Sequence, residues 1–160
     1  MLKKVLSLLL VAVITFSLAG CDIVSGIAFL IIMGCSDNDD RADKGEIFSF
    51  VRENEDKLLD AIEHKDYSAF ENKGFIGSVS EEKRGGISFS CGGAGFGPET
   101  AYVGFFYSEE NSMYAVWCAP SSKEALRPYG NGFIHQDEGT DNIYYVEKIC
   151  DKFYYYEAEF

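Results

Sequence analysis

The chain is 160 residues long, 47% hydrophobic and 15% aromatic, and carries a formal net charge of −12 at pH 7. That length suits one domain and not two, and the apolar share is enough for a core. The acidity excludes a phosphate-rich partner such as nucleic acid, which needs clustered Lys and Arg, and leaves cationic proteins, cationic peptides and neutral sugars open.

The chain begins with Lys3 and Lys4, then an apolar run over 5–17, then Leu18-Ala19-Gly20-Cys21. Positive charge stays on the cytoplasmic side, and the run is long enough for a signal segment but short for a membrane span. Leu-Ala-Gly-Cys in that position resembles the lipobox of bacterial lipoproteins. The resemblance implies cleavage after Gly20, a lipid on Cys21, and a domain held at the outer face of the cell membrane. Removal of the signal would take away two positive charges and leave the mature chain more acidic still.

A second apolar run over 23–34 follows Asp22 and ends at Cys35. Three readings stay open. Cleavage before Cys21 leaves residues 21–35 as a lipid-anchored apolar segment. An uncleaved signal anchor over 5–34 would put Asp22 near the bilayer centre, at about 2.5–3.5 kcal/mol. Cleavage before Cys35 would use the poorer box Ile32-Met33-Gly34-Cys35. All three place the remainder outside the cytoplasm. More than one acyl chain is needed for a firm hold, and the second run would add to it.

Residues 36–45 (SDNDDRADKG) are polar, acidic and aperiodic, and read as a tether. A calcium loop on Asp37, Asp39 and Asp40 fails, because the sixth position is Ala42 and the twelfth is Phe48. A single α+β domain is expected over 46–160. Its helix spans 46–64, with Ile47, Phe50, Val51, Asn54, Leu58, Ala61 and Ile62 on one face and acids toward its start. His64 beside Lys65 reads as a helix-end residue, not a catalytic base.

From Phe75 the period becomes two. Strands are expected at 76–80 and 86–91 around a charged turn, then at 101–107 and 112–118 around 108–111. A fifth is expected at 131–135, and a final hairpin at 143–150 and 153–160 turns at Asp151-Lys152. With no intervening helix, about six or seven strands would form an antiparallel meander, one face covered by the amphipathic helix. Residues 92–98 (GGAGFGP) fit no phosphate loop and read as a mobile connection.

Five cysteines are present. With Cys21 lipidated, Cys35, Cys91, Cys118 and Cys150 remain, at spacings that give no zinc site. A disulfide among Cys91, Cys118 and Cys150 suits the compartment, and its pairing stays open. Aromatics concentrate late. Trp117, Tyr129, Tyr154 and Tyr156 are the candidate partner contacts on an open sheet face, against cross-strand aromatic pairing as the alternative.

Gly139-Thr140-Asp141-Asn142, Glu147-Lys148-Ile149 and Phe153-Tyr154-Tyr155-Tyr156-Glu157 resemble a group of small uncharacterised exported proteins of low-GC Gram-positive bacteria. The likeness implies one domain ending in strands and carries no catalytic residue. No cofactor or metal motif is present. Cys118 with His135 is the one thiol–imidazole pair worth testing, and the acids are unpatterned, so an enzyme is not expected. The expected role is an envelope lipoprotein that binds a protein, peptide or glycan. The alternative, by fold-level analogy, is an inhibitor or immunity protein against a secreted factor.

Overall fold

The computed structural model describes residues 41–96 and 99–160. The lipobox at 18–21, the apolar run at 23–34, Cys35, and Asp37, Asp39 and Asp40 lie outside the described residues. Among the described residues no helix is long and apolar enough to cross a membrane.

The expected helix is two helices, α1 (Lys44–Glu53) and α2 (Glu55–His64). Asp43 caps α1, its carboxylate accepting from the N–H groups of Gly45 and Glu46. The break falls at Asn54, whose backbone leaves helical angles at φ −118° and whose side-chain amide donates to the Phe50 carbonyl at 2.9 Å. An Asn side chain competing for backbone acceptors is the physical reason one amphipathic pattern yields two segments. The apolar face runs on across the break, burying Ile47, Val51, Leu58 and Ala61. The tether also ends earlier than expected, since the Ala42 N–H already donates to the Cys91 carbonyl at 2.9 Å.

Seven strands form one antiparallel sheet: β1 (Ser78–Glu81), β2 (Gly86–Phe96), β3 (Glu99–Ser108), β4 (Arg127–Tyr129), β5 (Gly132–Gln136), β6 (Ile143–Cys150) and β7 (Phe153–Glu159). Their spatial order is β1-β2-β3-β7-β6-β5-β4. It is therefore not one meander but two. The chain runs β1 to β3, crosses one face to the far edge, and returns from β4 to β7, which zips onto β3. Residues 92–96 of the glycine-rich stretch are part of long β2, which bulges between Ser90 and Gly93, and from Gly93 on they pair with the start of β3. The strand expected at 112–118 is absent. That segment belongs to the crossing connection, a strap over 109–126 that holds only one 3₁₀ turn (Lys123–Ala125).

Strand alternation sorts the sheet side chains into two cores. On the helix side, Phe89, Cys91, Val103, Phe105, Tyr107, Ile149, Phe153 and Tyr155 pack with Ile47, Val51 and Leu58. On the strap side, Phe106, Tyr144, Val146, Tyr154 and Tyr156 pack with Ala115, Val116 and Ala119. Directly opposed aromatics stack across strands: Phe89 on Phe105 at 4.5 Å, and Phe106 on Tyr154 at 5.3 Å.

The strap has no ladder, so side chains satisfy its backbone. Tyr144 and Tyr154 donate to the carbonyls of Met113 and Asn111, each at 2.9 Å, and Arg84 donates to that of Ala119 at 2.6 Å. This is why those buried positions are tyrosine and not phenylalanine.

No disulfide joins Cys91, Cys118 and Cys150, which are free thiols. Cys91 and Cys150 sit on β2 and β6 with two strands between them, about 14 Å apart at normal strand spacing, whereas a bridge needs Cα atoms within about 7 Å. Cys118 packs on the opposite face of the sheet from both.

Candidate functional site

Trp117 and Tyr129 are exposed, at 48% and 61%. Tyr154 and Tyr156 are not available as contacts, at 4% and 1%, because the strap covers the face they occupy. The alternation over 153–156 is correct, but both sets of rings are inside, one under the helices and one under the strap. Trp117 and Tyr129 lie on opposite faces of the sheet, so the four expected contacts do not form one patch.

The structure gathers other residues around each. The Trp117 indole stacks on Phe160, with centroids 5.5 Å apart and planes 28° apart, and meets Tyr102 edge-on at 5.6 Å. This holds a half-exposed indole in a fixed orientation. Tyr129 meets Tyr145 edge-on at 6.2 Å on the helix side.

Three cavities cluster where β7 finishes and β6 begins. One, about 340 Å³ on the helix side, includes Ile143 and Glu159 in its lining. Another, about 370 Å³ beneath the strap, includes Ile143 and Phe160. The third, about 250 Å³, is lined by Thr100, Ala101, Asp141, Glu159 and Phe160. Each shares one residue with each of the others, so the three recesses adjoin at this end of the sheet, one on the helix side and one beneath the strap. Asp137, Asp141, Glu157 and Glu159 make it acidic. A wider trough of about 1030 Å³ flanks α2, floored by Phe50, Phe70 and Ile76, with charges of both signs around it. His64 sits there, its ring nitrogen 2.9 Å from the Asp60 carbonyl, which raises its pKa. It ends α2, and the same nitrogen lies 3.4 Å from the Asp60 carboxylate.

Lys44 and Tyr145, which line the helix-side cavity, meet Glu147 outside that lining: Lys44 Nζ lies 2.5 Å from Glu147 Oε2 and donates to Tyr145 OH at 3.2 Å, while Tyr145 donates to Glu147 at 2.6 Å. Burial alone would lower the Lys44 ammonium, but the bonds to Glu147 and Tyr145 outweigh it and raise its pKa. Burial likewise pushes the Glu147 carboxyl up, and the same partners outweigh it and hold it below its ordinary value. The ammonium also sits over aromatic faces, 4.7 Å from the Tyr145 centroid and 5.3 Å from that of Tyr155.

Cys118 and His135 line the same cavity beneath the strap, yet they make no catalytic pair. Burial pushes the Cys118 thiol up to about 12. His135 has each ring nitrogen on an acceptor, Nδ1 at 3.2 Å from the Ala125 carbonyl and Nε2 at 2.7 Å from Asp137. Neither nitrogen faces the thiol as a base. Among the described residues no cluster of three or more His, Cys, Asp or Glu side chains could hold a metal ion.

Sequence reasoning missed Tyr102, Phe160, Tyr145, Asp141, Glu157 and Glu159. Their grouping depends on β7 lying between β3 and β6, and a strand's spatial neighbours are not written in its own alternation.

No family model, curated protein or solved structure matches this chain.

Proposed function

We propose that this chain is an exported lipoprotein, anchored by a lipid on Cys21 at the outer face of the cell membrane, whose domain binds a polypeptide partner through the recessed end of the sheet. The Trp117 indole supports this reading most. A large apolar ring left half exposed, yet fixed by stacking on Phe160, is the arrangement of an interface anchor. The surrounding acids favour a partner with a basic surface, and charge attraction would raise its rate of encounter.

The test places a photo-crosslinking amino acid at position 117 in the native host, with the same residue at Glu63 on the exposed flank of α2 as control. A discrete protein adduct from position 117 and none from 63 supports the reading. Adducts to glycan, or no adduct at all, remove it. Intact mass of the membrane-extracted protein tests the anchor, since a chain starting at Cys21 with added acyl mass is required.

A further inference from the structure

The helix-side cavity is separate from the Trp117 platform, on the other face of the sheet, and its chemistry is more specific. Ile134 and Ile143 give it apolar walls and Tyr129 with Tyr145 give it aromatic ones, while Glu157 and Glu159 bring carboxylates. Its volume of about 340 Å³ is at the small end for ligand pockets, which suits one long side chain and not a large ligand. The same chemistry is seen beside the cavity: the Lys44 ammonium lies over Tyr145, which lines the cavity with it, and over Tyr155 and against Glu147, which do not. Arg41 also acts electrostatically on Tyr155.

The balance of charge decides what else would enter. Glu147 is matched by Lys44. Glu157 accepts from the neutral Tyr155 hydroxyl at 2.5 Å. The Glu159 carboxylate is exposed and carries no ion pair among the described residues. Tyr129 stands at the outer side, 61% exposed, with a ring face free to cover a second cation.

We propose that this cavity is a receptor for one alkyl-guanidinium or alkyl-ammonium group, such as an arginine or lysine side chain. The apolar walls take the methylene stem. Glu159 and Glu157 take the charged head, and Tyr129 covers it. The inference rests on the reading above only in that the side chain would belong to the polypeptide partner; the cavity is tested with small probes that need no partner.

The experiment titrates the full chain in detergent micelles with n-butylguanidinium, following the methyl resonances of Ile134 and Ile143, with neutral N-butylurea of the same shape as control. Saturable shifts with the cation and none with the urea are expected. Glu159→Gln should weaken binding roughly ten-fold, as loss of a charge-assisted hydrogen bond does. Tyr129→Ala should weaken it about two- to five-fold, as loss of an exposed cation–π contact does. Both side chains are exposed, so the variants should keep the fold, and unchanged backbone spectra check that. Equal shifts with the urea, no shift with the cation, or unchanged affinity in Glu159→Gln would each overturn the proposal. Failure here with a position-117 adduct intact would leave the interface reading standing, and the converse would leave a cation site without that interface.

Discussion

At the scale of single residues, the Lys44–Glu147 pair shows how unequal two partners are. Glu147 is buried on the sheet, whereas the Lys44 side chain is 39% exposed. Lys44→Met would leave a buried carboxylate with the Tyr145 hydroxyl and the field of Arg52 but no ion pair, and should cost about 2–3 kcal/mol. Glu147→Gln leaves an ammonium that can rehydrate, and should cost about 1 kcal/mol. Urea unfolding of both variants measures the order, and a larger loss in Glu147→Gln would contradict the geometry. The pair also sets a pH dependence. Glu147 has a depressed pKa in the folded chain. Its contribution is therefore present above the unfolded value, roughly 4.3, and is lost as pH falls through the lower folded value. The stability gap between wild type and Glu147→Gln should be widest near neutral pH and close in acid.

At the scale of elements, the strap is the part least like its sequence. The stretch Met113-Tyr114-Ala115-Val116-Trp117-Cys118 is apolar at every position, so alternation could not separate a strand from a segment buried along its length. Ala115 and Val116 are adjacent and both buried, which no half-exposed strand permits. The hydrophobic pattern did reveal α1 and α2 together, both arms of the β6–β7 hairpin and the helix-covered face, because these depend on local period alone. The pairing of β3 with β7 was not legible. Nor was the burial of Tyr154 and Tyr156, which follows from the strap's path and not from their own strand. Trp117 and Tyr129 are exposed, as the open-face expectation required of them; their separation onto two faces was not legible.

The strap packs closely on β2 at Gly86. A Cβ there would lie 1.9 Å from the Ala115 carbonyl oxygen, a backbone atom that cannot yield by a rotamer change. Gly86→Ala should therefore lift the strap and destabilise the fold by about 1–3 kcal/mol. Trp117, the only tryptophan in the chain, rides on that strap. Its emission should shift to the red in Gly86→Ala before the far-ultraviolet signal of the sheet is lost. An unshifted spectrum in a folded variant would show that the strap is held elsewhere.

At the scale of the whole molecule, two meanders meet along one seam. Ala101 to Tyr107 of β3 pair in register with Glu159 to Phe153 of β7, and the stacked Phe106–Tyr154 pair and the edge-on Tyr107–Phe153 pair lie on that seam. The helices bridge it on one side, since α1 bonds through Lys44 and Arg52 to β6, in the second meander, while Ala42 bonds to β2, in the first. The strap bridges it on the other. Covalent continuity between the meanders runs only through the strap, so cutting it asks whether pairing and packing alone hold them together. A protease site inserted between Ser121 and Ser122, both exposed, would be cleaved in the folded full chain. The two fragments, one ending at Ser121 and the other spanning 122–160, bury the seam, both cores and the β3–β7 ladder against each other. They should therefore stay together on size exclusion under native conditions and separate only in denaturant. Separation without denaturant would mean that the strap, and not the seam, holds the two halves together. The recessed end, whose Trp117 comes from one fragment and Phe160 from the other, would then exist only while the strap is intact.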